Sequence, residues 1–328
     1  MRRREFITLI GGAVALPLAA CAQQSGPARR IGVVMLHRKD DREGQLRIRA
    51  FQEGLQRAGW SIGTDLLMDV HWGVGDINWI GSAVTDAMRR APEVILAVSD
   101  QVAQVAKAAS QTMPVVFIAT SDQIAEGFVQ SLAHPNSNMT GFTVQEPSLG
   151  PKWISLLKEV APQLTRIAVF FNSENSGSVL VFRSCADAAA TLGVNVVAVQ
   201  AREAKDVEVA FEVLAKQPNA GFILPPDPAV AVNRRLVIES AARYRMPGIY
   251  GYRNFVADGG LISYGIDFPE VYRQAAGYVD RILRGDRPQD LPVQRPTKFE
   301  FAVNLKTAKA LDFVVPPTVL ALADEAFE

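Results

Sequence analysis

From Arg30 onward, short apolar runs alternate with longer amphipathic stretches. Residues 31–36 (IGVVML) are apolar throughout, as in a strand covered by helices on both faces. A polar loop follows (HRKDDREG, 37–44). Leu46, Phe51, Leu55 and Ala58 then recur at helical spacing, and Gly59 ends that helix. The same beat predicts strands at 66–70, 93–98 and 114–119, with helices at 77–88 and 101–110 and a short one reaching 129. A second series places strands at 166–171, 194–199, 220–224 and 248–250 among helices at 151–160, 179–192, 206–216 and 230–244.

Strands that alternate with helices of this length mean βαβ units and parallel sheets. The two series lie on either side of about residue 145, so the pattern predicts an α/β protein of two Rossmann-like lobes rather than one long sheet. After Asp258-Gly259-Gly260 the pattern gives a further strand at 261–264 and a helix at 269–283. Arg287-Pro288, Leu291-Pro292 and Arg295-Pro296 mark a stiff connector. A strand of alternating type at 298–304 and a helix at 305–311 close the chain.

Composition narrows the function classes. The chain has 328 residues, 48% hydrophobic and 21% charged, which suits about two globular domains. Lys+Arg and Asp+Glu are both 34, so no basic excess points to nucleic acid and none is expected as a partner. The two cysteines, Cys21 and Cys185, allow at most one disulfide, so stapling does not hold the fold. His37, His71 and His134 are scattered, read as surface or loop residues, and predict no metal site. Cys185 sits among Ala and Phe inside a helix and reads as a small buried hydrophobe.

The first residues stand apart from this rhythm. Arg2, Arg3 and Arg4 precede an apolar stretch from Ile7 to Ala20 that holds Gly11, Gly12 and Pro17. It is shorter than the roughly twenty residues of a membrane span and carries helix breakers. It fits a signal peptide over 1–22, and Arg-Arg before Glu5-Phe6-Ile7 resembles a twin-arginine export signal. Leu18-Ala19-Ala20-Cys21 resembles a lipobox, in which Cys21 becomes a lipidated first residue. Ala20-Cys21-Ala22 is also an A-x-A site, cut before Gln23. The first reading leaves a membrane-anchored lipoprotein and the second a soluble periplasmic protein.

In parallel α/β sheets, ligands bind beyond the carboxyl ends of the strands. Those ends carry His37 to Asp40, Ser99-Asp100, Thr120-Ser121-Asp122 and Thr143 in the first half. In the second half they carry Asn172 to Ser176, Asp227, Tyr250-Gly251-Tyr252 and Asp267. Many are hydroxyls and amides, and several are equally good helix caps; together they predict a polar, mostly uncharged pocket. Asp100, Asp122, Asp227 and Asp267 are placed to meet an amine. Trp72, Phe142, Phe171, Tyr250 and Tyr252 are candidate walls. Neither a P-loop nor a nucleophile elbow occurs, and Gly73-Val74-Gly75 lacks the third glycine of a dinucleotide fingerprint. Neither a cofactor nor an enzyme activity is expected.

PVVFIATSD (114–122), NSNMTGFT (136–143), RIAVFFN (166–172), ILPPD (223–227) and LISYGIDF (261–268) carry a resemblance over nearly all of the chain beyond the opening segment. In that order they resemble the ABC-transporter substrate-binding proteins of the tryptophan-binding-like family, which have the type I periplasmic binding fold. Gln123 stands where that family has a proline, and the family's glycine pair is absent from Pro135-Asn136-Ser137-Asn138. The resemblance implies two lobes joined by three crossovers: 30–143 plus 259–287, and 144–258 plus 288–328. It implies hinge closure on an amino acid, often aromatic, or a related small molecule, delivered by a monomer to an ABC permease. By position it turns Ser99, Asp100, Thr120, Ser121, Asp122, Thr143, Asn172, Asn175, Asp227, Tyr250 and Asp267 toward the cleft. Hydroxyls and backbone N–H groups would hold a carboxylate, and Asp227 or Asp267 an amine. Arg253 would instead favour an organic acid.

Three rivals are weighed. A transcription regulator of this fold needs an N-terminal helix-turn-helix, for which 1–30 has no room. An enzyme needs a nucleophile–base pair across the cleft, and none is evident. A receptor that serves a sensor kinase is not separated from transport by sequence.

Overall fold

The computed structural model describes residues 27–328 except 74–77, 120, 121, 123, 125, 145, 147, 174, 202 and 232, and the side chains of 176, 228 and 229. Cys21, Thr120 and Ser121 therefore lie outside the described residues.

The first lobe is built from β1 (Arg29–Met35), α1 (Arg42–Arg57), β2 (Leu66–Trp72), α2 (Trp79–Arg89), β3 (Val94–Val98), α3 (Asp100–Ala109), β4 (Val115–Ala119) and β5 (Met139–Thr143). Its sheet has the order β2-β1-β3-β4-β5, parallel throughout. Alternate strand residues feed opposite faces, as the period of two dictates. Ile31, Val33 and Met35 pack with Phe51 and Leu55 of α1, while Val34, Ile95 and Phe117 pack with α2 and α3.

The second lobe begins with α4 (Leu149–Val160), β6 (Arg166–Phe171), α5 (Ser176–Ala189), β7 (Asn195–Gln200), α6 (Ala204–Leu214) and β8 (Ala220–Leu224). It continues with α7 (Pro228–Ala231), α8 (Arg234–Arg243), β9 (Gly248–Tyr250), α9 (Arg253–Ala257) and β10 (Ile262–Ile266). α10 (Phe268–Leu283) then returns to the first lobe and packs along α1. β11 (Phe299–Asn304), α11 (Leu305–Ala310), α12 (Pro317–Leu322) and β12 (Glu325–Phe327) complete the second lobe. Its sheet runs β12-β11-β10-β9-β8-β6-β7, parallel except for the β10–β11 pair.

Four sequence expectations shift. β10 hydrogen-bonds to β9 and β11, so residues 259–266 belong to the second lobe, and the chain recrosses at Asp267 rather than at 259. Gln294 bridges to Phe142 and the 3-10 turn Pro288–Asp290 precedes it, so 288–294 stays with the first lobe and the last crossover lies at 295–298. The link expected around residue 140 is itself a strand. β5 is hard to read because Gly141, at φ +153°, interrupts its apolar run, and a Cβ there would meet the Phe117 carbonyl oxygen at 2.1 Å. The helix expected to reach 129 is replaced by a turn in which Gly127 (φ +68°) bonds back to Ile124.

Candidate functional site

The carboxyl ends of both sheets supply the polar loops, and most of their side chains first serve the helix that follows. Ser99 caps α3: its Oγ accepts from Val102 N at 3.2 Å. Its φ of +127° is unusual for a residue with a Cβ and marks a strained turn at the strand end. Asp100 follows as the first residue of α3 and is buried. Asp122 Oδ1 accepts from Ile124 N at 3.0 Å. Thr143 is buried at the end of β5, its N–H bonded to Gln294 O.

In the second lobe, Asn172 N donates to Ser178 Oγ at 3.0 Å. Asn175 caps α5, accepting from Gly177 N at 3.0 Å and Ser178 N at 3.3 Å. Its Nδ2 reaches across to Asp227 Oδ2 at 3.3 Å, so two of the expected residues share one hydrogen bond. Asp227, at the end of β8, is 2% exposed. A buried carboxylate with an amide donor is a natural seat for an amine.

Tyr250 and Asp267 do other work than expected. Tyr250 is buried in an aromatic cluster, 5.4 Å from the Phe222 ring and 5.1 Å from Phe255, so it braces the loop from behind. Asp267 caps α10 through Glu270 N at 3.0 Å and pairs with Lys298 at 2.8 Å. It ties together the two neighbouring crossovers. Arg253 pairs with Glu325 and lies under Phe327, so it is spent within the second lobe. Of the candidate walls, Phe142 is core and Phe171 stacks on Phe182 at 5.2 Å.

The polar centre is organised around Tyr252. Burial raises its phenol pKa, and among its charged neighbours Arg47 lowers it while Asp227 and Asp100 raise it. One hydroxyl thus sits within the fields of a first-lobe cation, a first-lobe carboxylate and a second-lobe carboxylate. The Tyr252 ring lies 5.4 Å from Phe268, the first residue of α10. His37, at the end of β1, is neutral: burial and then Arg47 push its pKa down to about 3. Its side chain packs against Gly44 of α1, where a Cβ would meet His37 Cβ at 2.6 Å, so the loop after β1 lies directly on the helix. Beside this lies a depression lined by Arg38, Lys39, Asp40, Trp72 and Gly73.

Sequence reasoning missed Arg47, Phe268 and the burial of His37. A signal existed for Arg47. It stands four residues before Phe51 and eight before Leu55, so a charge occupies the apolar stripe of α1.

No group of three or more His, Cys, Asp or Glu suited to a metal occurs among the described residues. No helix of the described residues is long and apolar enough to cross a membrane.

The geometry is that of two α/β lobes, and comparison with known proteins agrees on the fold. A tyrosine-binding protein of Clostridioides difficile (strain R20291) is 25% identical over 264 residues, covering 80% of this chain and 76% of the relative. A conserved domain protein from Vibrio cholerae superposes with a TM-score of 0.83 at 24% identity, covering 91% of this chain and 99% of the other. An ABC domain from Streptococcus pneumoniae in complex with L-Trp gives 0.82 at 21% identity, covering 92% and 100%. Residues 33–327 match the family described as ABC transporter substrate binding protein. The chain therefore belongs to the ABC transporter substrate-binding proteins, which are binding proteins and not enzymes.

Proposed function

We propose that this chain is the extracytoplasmic receptor of an ABC importer and that it closes on an amino acid between its lobes. The observation that carries the reading is the contact between the lobes at Tyr252, whose ring lies 5.4 Å from Phe268 of the first lobe, with the charges of Asp100 from one lobe and Asp227 from the other both acting on its hydroxyl. Carboxylates from both lobes around one ligand amine would make closure depend on the ligand, which is what a receptor that signals occupancy to a permease requires. The C. difficile relative named for tyrosine and the S. pneumoniae complex with L-Trp support an amino acid, and an aromatic one suits the rings of Tyr252 and Phe268. Export by the signal over 1–22 places the protein in the periplasm, where Cys21 is either lipidated or removed. The intact mass of the mature chain separates those two outcomes.

Thermal denaturation of the mature protein with each of the twenty amino acids tests the reading. At least one is expected to raise the midpoint, since binding the folded state alone adds stability by mass action. Asp227→Ala should weaken that ligand roughly 10-fold or more, the loss of one charge-assisted hydrogen bond. No shift from any amino acid refutes the proposal. Unchanged affinity in the variant removes Asp227 from the site.

A further inference from the structure

Arg47 is 8% exposed, in the middle of α1 among Gly44, Ile48, Phe51 and Leu55. Its guanidinium carbon lies 4.1 Å from the ring centroid of Phe268 and 5.9 Å from that of Tyr252. The Tyr272 hydroxyl is a hydrogen-bond partner of the guanidinium, but a neutral one. Rings cover the guanidinium, whereas its in-plane N–H groups are the donors that match a planar two-oxygen acceptor. Nε has no hydrogen-bond partner among the described residues, and no ion pair among them includes Arg47. Nδ1 of His37, which lies within the field of Arg47, is likewise buried without a partner.

A cation taken out of water without a countercharge is costly, and a sequence keeps one where something else supplies the anion. The other charges around this centre do not fill that role by contact. Asp41 and Arg234 act on His37 from a distance, and Asp100 and Asp227 act on Tyr252, where Asp227 already accepts from Asn175. One cation and two carboxylates thus act together on the Tyr252 hydroxyl.

We propose that Arg47 is the anion-receiving residue of the cleft, that its Nε docks the carboxylate of the ligand, and that the receptor therefore selects carboxylate-bearing ligands over neutral or purely cationic ones. This rests on the receptor reading above and deepens it. It assigns the carboxylate to a side chain of α1, where sequence reasoning had assigned hydroxyls and backbone N–H groups. The ring faces of Phe268 and Tyr252 pack against the guanidinium, which favours one orientation of its donors.

Binding is measured for matched sets that differ in one group: L-tyrosine, tyramine and 3-(4-hydroxyphenyl)propanoate, and L-tryptophan, tryptamine and indole-3-propanoate. The wild type should bind the better amino acid and its propanoate, and bind the amine at least 10-fold more weakly. Arg47→Met keeps length and apolar contact but removes the charge. It should weaken the amino acid roughly 10- to 100-fold, as expected for one hydrogen bond to a charged group, and should erase the preference over the amine. Unliganded Arg47→Met should melt no lower than the wild type, because a buried charge without a countercharge has been removed.

Equal binding of amine and amino acid by the wild type overturns the Arg47 assignment but leaves the receptor reading standing. So does an Arg47→Met variant that melts lower and loses acid and amine alike, because Arg47 is then structural. If that variant does not fold, Arg47→Lys and the wild-type preference across the matched sets decide the question. If none of the six probes binds the wild type, the Arg47 assignment falls, and the twenty-amino-acid screen judges the receptor reading separately.

Discussion

Glu300 offers a test of the electrostatics that needs no ligand. It lies on β11 opposite Gly265 of β10, next to the crossovers between lobes. Burial, and then the charge of Asp267, raise its carboxyl pKa from 4.5 to about 7; Glu43 and Asp324 push the same way and Arg253 opposes them. The folded state therefore binds this proton more tightly than the unfolded chain. Stability from this group is full below pH 4.5, falls as pH rises through the window from 4.5 to 7, and the deficit is complete above it. At about 1.4 kcal/mol per tenfold, the deficit has an upper bound of about 3 kcal/mol. The side chain is partly open to water, which reduces the expectation to about 1–2 kcal/mol. Glu300→Gln removes the charge and keeps the shape. In urea denaturation it should be more stable than the wild type by about 1–2 kcal/mol at pH 8, which corresponds to roughly 2–3 °C in a thermal melt, and equal to it at pH 4.5. A gain that does not depend on pH, or a loss at pH 8, would refute the assigned cause.

Two further outcomes follow from single residues. Ser99→Gly relieves the φ of +127° and loses only a cap that glycine partly replaces, so it should stabilise the unliganded protein by about 1 kcal/mol, whereas Ser99→Ala should stabilise nothing. Urea denaturation of the pair reads the difference, and a loss in Ser99→Gly would show that the turn is not strained. Cys185 is buried, which raises its thiol to about 12, and under the proposed export Cys21 would carry no free thiol, being lipidated or removed. Ellman titration of the mature protein should count no thiol when native and one in guanidinium; one in the native state would mean that Cys21 is retained unmodified.

The periodic part of this architecture was legible because buried parallel strands leave short apolar runs between amphipathic stretches, as at 93–98 and 166–171. What escaped was set by tertiary pairing. β10 reads the same whether it joins one lobe or the other, and only its hydrogen bonds to β9 and β11 place it in the second. The site was legible at the level of loops and not of roles. A polar residue at a strand end either caps the next helix or meets a ligand, and sequence alone does not apportion Asp267 to capping and Asp227 to a buried hydrogen bond with Asn175. Tyr250 and Tyr252 are two residues apart, yet Tyr250 ends a strand and faces Phe222, whereas the chain turns after it and Tyr252 meets Phe268 from the other lobe. Arg47 is the opposite case. It lies in no motif and at no strand end, but a helix stripe that runs 44, 47, 48, 51, 55 admits a charge at one position only if something outside the stripe balances it. The residue that breaks the local rule, rather than the loops that obey it, is where the sequence points to the chemistry of the ligand.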